Sequence, residues 1–319
     1  MAKPVYNPEE ESRDLGFGSL LSQRQGLRLL NRDGSFNVER RETHWWNRIF
    51  SYQGLVSISW PKFYALLVAA YFIINAIFAC LYLLCGPGAL QGSIGVSGFP
   101  RAFFFSVDTF STIGFGNIVP VGVASNLLVT CEAITGLLSF ALSTGLLFAR
   151  FSRPRMEIVF SKYSVIAPYR GITAWMFRIV NRRDSQLIEV APKITLSRFE
   201  TDDGVRIRKF HALALEREKV AFFPLPWTVV HPVDENSPLY GWSEQQLIEA
   251  QAEFFVLLTA IDETFSETVH SRTSYTAHEV VWNAKFARIF KDDGKHAPSM
   301  DWARFHGIEH QPEELAAQR

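Results

Sequence analysis

Two long apolar stretches interrupt a chain of otherwise mixed polarity. Residues 61–85 form the first, which begins with a proline, a residue that suits the first turn of a helix. As a helix this stretch would be about 37 Å long, enough to cross a hydrocarbon layer of about 30 Å. Residues 121–151 form the second stretch. We predict that both are membrane-spanning helices.

The loop between these stretches predicts a pore. Residues 100–110 are mostly apolar and predict a short helix, whose C-terminus would direct partial negative charge towards the pore centre. Rings of backbone carbonyls from four copies of a following segment would select potassium, and glycines let successive carbonyls turn inward. The alternative is a re-entrant loop with chance glycines. The predicted filter comprises Thr112, Ile113, Gly114, Phe115 and Gly116, with K⁺ held by the carbonyls of the first four.

Beyond residue 157 the pattern changes to short apolar runs separated by turn residues. Seven runs predict short strands: 164–168, 174–180, 187–190, 194–196, 219–223, 227–230 and 254–258. This density of strands is typical of a β-sandwich. Ser243, with Gln246 three residues later, predicts the capped start of one helix.

Charge divides the chain in the same way. The 32 basic and 32 acidic side chains cancel, which argues against bulk electrostatic binding of nucleic acid. Residues 63–149 contain only Arg101, Asp108 and Glu132 as charged residues. Three scattered cysteines offer neither metal spacing nor a disulfide framework, and no nucleophile–base pattern or phosphate loop indicates an enzyme.

Basic residues flank both apolar stretches on their outer sides, whereas the loop between them holds only Arg101. The positive-inside rule therefore predicts an integral membrane protein with both termini in the cytoplasm. The predicted organisation is a mobile N-terminal segment (1–45), an interfacial helix (46–60), a transmembrane pore domain (61–155), a cytoplasmic β-sandwich (156–292) and a frayed C-terminal tail (293–319). For residues 46–53 an ordinary linker is the alternative, because Gly54 ends the helical spacing early.

From about residue 48 to 290 the chain resembles the inward-rectifier potassium channels, and among them the prokaryotic KirBac family. The matching motifs are STIGFG (111–116), ALSTGLLFARFSRP (141–154), VIAP (165–168), HPVDENSPLY (231–240), SY (274–275) and EVVW (279–282). The resemblance implies a homotetramer in the cell inner membrane. It also implies an immunoglobulin-like sandwich whose four copies extend the ion path.

Two positions depart from the family pattern. Phe115 replaces the usual filter tyrosine, so the filter keeps its carbonyls but loses a hydroxyl that would brace it. Asn117 and Ile118 occupy the region where eukaryotic relatives have an arginine. Asp108 would then lack that partner and pair elsewhere.

Several roles in the second span have two interpretations. Gly136 is either a bending point, in a gate that also includes Gly145, or a site of close helix packing. Phe148 is expected to close the inner mouth, with lipid-facing packing as the alternative. Phe140 occupies a position where strongly rectifying relatives carry an acid, so weak polyamine block is expected. Glu132 is expected to form a structural bond behind the pore helix rather than to contact ions.

Two further sets rest on the resemblance. Glu189 and Glu263 align with residues that line the cytoplasmic pore, although isolated glutamates are usually solvated. A cluster of five basic residues and one tryptophan at the inner interface, which we call the basic cluster, would bind anionic phospholipid, phosphoinositide included, or would serve topology alone. This cluster comprises Arg48, Trp60, Lys62, Arg150, Arg153 and Arg155.

The leading hypothesis is therefore an inward-rectifier-type potassium channel, gated at its inner helices and by the cytoplasmic domain and anionic lipids. The alternative is a membrane-anchored β-sandwich binding module whose pore does not conduct or selects cations poorly.

Overall fold

The computed structural model describes residues 25–37, 51–92, 95–152, 156–183, 186–202, 204–291 and 299–310. The chain forms two compact units. We call Arg40–Arg153 the helical unit. Met1–Glu39 together with Pro154–Arg319 form the second, which we call the sandwich unit.

In the described residues of the helical unit there are four helices and one antiparallel pair of short strands. They are α1 (Tyr52–Ser57), α2 (Trp60–Leu84), β1 (Leu90–Gly92), α3 (Phe99–Phe110), β2 (Ile118–Pro120) and α4 (Val123–Phe151). Helices α2 and α4 are long and apolar enough to cross a membrane. Their bounds agree with the predicted spans to within about two residues. Many of their large apolar side chains are exposed, as expected for surfaces that face lipid or another protein chain.

The predicted interfacial helix (46–60) can be compared with the structure only from residue 51 onward. Residues 46–50 lie outside the described residues, and α1 begins only at Tyr52. The hydroxyl of Ser51 accepts the N–H of Gly54 at 3.0 Å and caps the start of the helix. Gly54 therefore lies within the first turn of α1 and does not end the helix, contrary to what the sequence pattern predicted.

Two five-stranded sheets form the sandwich. The first has the order β11-β10-β6-β7, with β8 beside β6, and the second has the order β12-β4-β5-β3, with β9 beside β5. The strands of the first sheet are β6 (Leu187–Asp202), β7 (Val205–Leu213), β8 (Val220–Phe222), β10 (Glu253–Asp262) and β11 (Glu267–Thr276). Those of the second are β3 (Ile158–Phe160), β4 (Ser164–Tyr169), β5 (Ile172–Asn181), β9 (Trp227–Val233) and β12 (Val280–Trp282).

The core lies between these sheets. Trp175 stacks on Phe254 with ring centroids 4.6 Å apart, and Tyr275 meets the edge of Trp175 at 6.2 Å. All three side chains are fully buried. Because both sheets contribute large rings to one layer, the space between them is filled by one hydrophobic cluster.

The predicted strands are present, with two differences. The runs at 187–190 and 194–196 are one continuous strand, β6, which contains an extra residue opposite β10 where Glu189 has a φ of 56°. Besides the three-residue strands β3 and β12, the two long strands β7 and β11 were missed. Both carry many polar and charged side chains on one face, so their apolar alternation is weak. The predicted helix after Ser243 is confirmed as α5 (Glu244–Glu249), with the full capping box.

The predicted mobility of the N-terminal segment is wrong for residues 25–37. Leu29 and Leu30 are buried, and their backbone N–H groups donate to the two carboxylate oxygens of Glu253 at 3.0 and 3.1 Å. The guanidinium of Arg32 donates to the carbonyls of Ser161 and Lys162. Partners more than 120 residues away in sequence therefore hold this segment on the sandwich, and we call it the N-terminal clip.

The predicted fraying of the C-terminal tail is wrong for residues 299–310. Two short antiparallel strand pairs form: β13 (Ala284–Phe286) pairs with β16 (Ile308–His310), and β14 (Phe290–Lys291) pairs with β15 (Ser299–Met300). Phe305, between them, has no exposed surface. Burial of this one ring provides the apolar anchor that the polar composition of the tail conceals.

Candidate selectivity filter and its surroundings

The backbone of the predicted filter alternates in handedness. Thr112, Gly114 and Gly116 have φ values of 58°, 60° and 75°, whereas Ile113 and Phe115 are outside this left-handed region. Alternation of this kind turns successive peptide groups the same way, which is the geometry a row of carbonyl ligands requires. The positive φ of Thr112 was not predicted, because a residue with a side chain resists this conformation by roughly 1 kcal/mol.

The filter is attached to the end of the short helix. Helix α3 ends at Phe110, and the carbonyl of Asp108 accepts the N–H groups of Ile113 at 3.0 Å and Gly114 at 3.3 Å. These bonds fold the first filter residues back onto the helix C-terminus. The position of the predicted filter is therefore determined by the position of α3.

Two departures from the family pattern have visible consequences within one chain. The Phe115 ring is 68% exposed and has no ring contact among the described residues. Asp108 is half-buried, and its carboxylate has no hydrogen-bond or ion-pair partner among them. The expected replacement partner for Asp108 is therefore not found in the described part of this chain.

Behind the filter, a buried polar cluster joins three helices. Glu132 of α4 contacts the hydroxyl of Tyr82 at 2.5 Å and the hydroxyl of Ser106 on α3. Ser106 also lies 3.0 Å from the side-chain oxygen of Asn75 on α2. Glu132, Ser106 and Asn75 have no exposed surface, and Tyr82 has almost none. This confirms the expectation that Glu132 forms a structural bond behind the pore helix.

One turn further along, Gly136 lies directly against the end of α3. A Cβ atom added at Gly136 would come within 2.4 Å of the Phe110 carbonyl oxygen. This close approach supports the packing interpretation of Gly136. Glu132 and Gly136 thus present two successive turns of α4 to Ser106 and Phe110, which are two successive turns of α3.

In the C-terminal half of α4, the predicted gate residues Gly145 and Phe148 lie on a surface that the rest of the chain does not cover. Phe140 and Phe148 are 76% and 73% exposed within one chain. Gly145 has no heavy atom within 4 Å of the Cβ position. Thr144, between the two rings, donates its hydroxyl to the carbonyl of Phe140. This face is therefore free to meet other chains or lipid.

Arg150 is enclosed by protein. Its guanidinium donates to the carbonyls of Leu55 at 2.6 Å and Ile58 at 2.7 Å, and lies over the rings of Trp60 and Phe63 at 4.5 and 4.4 Å. Arg150 is only 7% exposed. It joins the end of α4 to the turn between α1 and α2, so its charge is satisfied within the protein and is not presented to lipid.

The other members of the basic cluster include two that lie at the start of α2, Trp60 and Lys62. Lys62 is exposed at the start of α2. Trp60 stacks on Tyr64 and also meets the ring of Phe151. Arg48, Arg153 and Arg155 lie outside the described residues.

The two predicted cytoplasmic-pore glutamates have different surroundings. Glu189 lies at the β6 bulge and forms an ion pair with Lys219. Glu263 is exposed at the end of β10, with no ion-pair partner for its side chain among the described residues. Because Lys219 offsets the charge of Glu189, Glu263 is the stronger candidate for an attractive carboxylate ring.

Two membrane-length helices, a short helix between them and a filter-like loop define a two-helix ion channel, and the comparisons agree. A family model described as "Ion channel" matches residues 66–153, and one described as "Inward rectifier potassium channel C-terminal domain" matches residues 158–318. The chain is 39% identical to Inward rectifier potassium channel Kirbac3.1 of Paramagnetospirillum magnetotacticum, over 88% of this chain and 95% of the relative. The chain therefore belongs to the inward-rectifier potassium channel family.

Two animal relatives extend the comparison. Inward rectifier potassium channel irk-1 of Caenorhabditis elegans is 27% identical over 82% of this chain, and Inward rectifier potassium channel 4 of Mesocricetus auratus is 30% identical over 66%. The chain spans about half the length of each, at 53% and 50%. Membership of the family establishes the predicted fold class, which is a two-transmembrane-helix pore module followed by an all-β sandwich. The chain is therefore a membrane protein, and its family is an ion channel family rather than an enzyme family.

Proposed function

We propose that this protein forms a homotetramer that conducts K⁺ across the cell inner membrane, with both termini in the cytoplasm. The observation that carries the proposal is the alternating backbone of residues 112–116, attached to the end of α3 by the Asp108 carbonyl. Four copies of this loop would place rings of carbonyls from Thr112, Ile113, Gly114 and Phe115 around one axis, where they replace the hydration shell of K⁺.

Rubidium uptake into liposomes that contain the purified protein tests this proposal. Gly114→Ala should abolish uptake and leave the oligomer assembled, because a Cβ is strained at a φ of 60° although nothing in the chain obstructs it. Phe115→Tyr is the matched variant, since it changes the neighbouring side chain and keeps the backbone. Competition by sodium and block by barium report selectivity. Unchanged uptake in Gly114→Ala would show that the loop is not the filter, whereas equal rubidium and sodium uptake would favour a poorly selective pore.

For the gate we propose the face of α4 that carries Phe140, Thr144 and Phe148. Phe148 is the large ring nearest the cytoplasmic end of this face, and its side chain is not covered by its own chain. Four such rings would close a dewetted constriction. Phe148→Ala should raise uptake without altering rubidium-over-sodium preference, and a change in preference instead would place the gate elsewhere.

For regulation we propose that anionic lipid contacts the inner-interface residues Arg48, Trp60, Lys62, Arg153 and Arg155. Each basic group near an anionic leaflet contributes about 1 kcal/mol. A ring of Glu263, with a smaller contribution from Glu189, would raise the local cation concentration on the cytoplasmic side.

A further inference from the structure

The buried polar cluster of Asn75, Tyr82, Ser106 and Glu132 contains three oxygen-to-oxygen contacts. Tyr82 meets one carboxyl oxygen of Glu132, Ser106 meets the other, and Ser106 also meets Asn75 Oδ1. Each contact needs one hydrogen atom. The four side chains must therefore supply three hydrogens to these contacts.

The orientation of the Asn75 amide is set by its other partner. Its nitrogen donates to the carbonyl of Tyr71 at 2.8 Å. A backbone carbonyl can only accept, so exchanging the amide oxygen and nitrogen would place two acceptors against each other. Asn75 Oδ1 therefore faces Ser106 as an acceptor and requires a hydrogen from it.

The number of available donors then determines the protonation state of the Glu132 carboxyl group. The hydroxyls of Tyr82 and Ser106 supply one hydrogen each. Since Ser106 gives its hydrogen to Asn75, the contact between Ser106 and Glu132 has none unless the carboxyl group carries it. The partners of Glu132 in the described residues are hydroxyls, with no basic side chain among them, and a carboxylate buried in this way is costly.

We propose that Glu132 is a neutral carboxylic acid that acts as a positioning residue for the filter. Its acidic hydrogen goes to Ser106, Ser106 donates to Asn75, and Tyr82 donates to the second oxygen of Glu132. This chain of bonds runs from α4 through α3 to α2. Ser106 lies one turn before Phe110, where α3 ends and the filter begins, so the bonds set the height and rotation of the filter. This role in conduction rests on the proposed function, whereas the protonation state does not.

Glutamine at position 132 distinguishes the neutral acid from a carboxylate. Its carbonyl accepts from Tyr82 and its amide donates to Ser106, which reproduces the pattern of the neutral acid, whereas a carboxylate has two acceptors and no donor. Glu132→Gln should therefore retain rubidium uptake within about threefold, together with rubidium-over-sodium preference and barium block. Glu132→Ala leaves the cluster without its partner and should lower uptake or preference by roughly tenfold.

Infrared spectroscopy of the detergent-solubilised full chain tests the protonation state without any flux. The C=O stretch of a buried neutral carboxylic acid should be present at neutral pH, absent in Glu132→Gln and retained in Asp108→Asn, which removes the other carboxyl group of the pore region. If the band does not depend on Glu132, or if Glu132→Gln loses uptake as Glu132→Ala does, the proposal is overturned. A chain without rubidium uptake but with this band would contradict the proposed function and leave the neutral acid supported.

Discussion

Among the described residues, the helical unit and the sandwich unit each bury one glutamate, but the hydrogen-bond partners of the two carboxyl groups differ. Glu132 is 0% exposed and meets two hydroxyls, whereas Glu253 is 2% exposed and accepts the backbone N–H groups of Leu29 and Leu30. A hydroxyl can either donate or accept, so it tolerates a neutral acid. A backbone amide can only donate, so each oxygen of Glu253 must accept.

The electrostatic surroundings differ in the same sense. Burial raises the pKa of the Glu253 carboxyl above its usual value, and the amides of Leu29 and Leu30 limit this rise. The guanidinium of Arg208 lies 3.9 Å from one carboxylate oxygen. The sandwich unit thus supports an anion with donors and a cation, whereas the pore cluster contains no cation among its described members. A buried carboxyl group is therefore neutral or charged according to the donors that surround it.

The largest expected effect comes from removing the sandwich carboxylate. Glu253→Ala leaves two buried amide hydrogens without acceptors and should cost about 3 kcal/mol or more of unfolding free energy. The N-terminal clip should detach, so trypsin should cut after Arg28 and Arg32 much faster than in the unaltered chain. Cleavage products identified by mass spectrometry measure this. Glu263→Ala, an exposed position just beyond the other end of β10, is the control and should leave the cleavage rate unchanged.

In the helical unit the comparable anchor is a close backbone contact rather than a charge. Gly136→Ala should displace α3, because the new methyl group would lie 2.4 Å from the Phe110 carbonyl, at a cost of about 1–3 kcal/mol. Gly145→Ala on the same helix meets open space and should be neutral or slightly stabilising. Thermal unfolding and rubidium uptake compare the two variants. If both behave alike, the contact between Gly136 and Phe110 does not hold the pore helix.

The same conservative substitution should separate the two glutamates. Glu253→Gln provides only one side-chain acceptor for two backbone donors and should lower the free energy of unfolding by about 1–2 kcal/mol. Glu132→Gln should change it by much less. Denaturant unfolding of both variants, followed by tryptophan fluorescence, gives the comparison. Equal losses would mean that the two sites require the same charge state, and that Glu132 is not a neutral acid beside a charged Glu253.

A fall in pH should change the free energy of unfolding least of all, through histidines of the sandwich unit. Burial lowers the pKa of His231 below its usual value, and its ring nitrogens contact the Ala214 carbonyl and the Ser237 hydroxyl. Because the folded state binds this proton less well than the unfolded state, stability is fully present above about pH 6.5 and is lost as the pH falls. The pH dependence of unfolding should be weaker in His231→Gln, while His306, whose pKa is also lowered by burial, continues to contribute. Identical profiles would exclude His231 as a source.

Much of the architecture could be predicted because it depends on short-range patterns. The two spans follow from continuous apolar composition, and the filter-like loop, whose role as a filter stays a prediction, follows from two glycines placed just after a short helix. The capping box at Ser243 and Gln246 is encoded within four residues. In each case the residues that decide the structure are neighbours in sequence, so their spacing alone carries the information.

The remaining features depend on partners that are distant in sequence. Leu29 and Glu253 are 224 positions apart, and Tyr82 and Glu132 are 50 apart. Nothing in the polar composition of residues 25–37 indicates that the backbone N–H groups of Leu29 and Leu30 donate to the buried carboxylate of Glu253. Likewise, the position of Arg150 at the end of an apolar span is typical of a residue that binds lipid or sets membrane topology. Only the fold shows that Leu55, Ile58 and Trp60 enclose it. Burial and hydrogen-bond pairing are properties of the assembled tertiary structure, and they convert residues that look mobile or lipid-facing in the sequence into structural anchors.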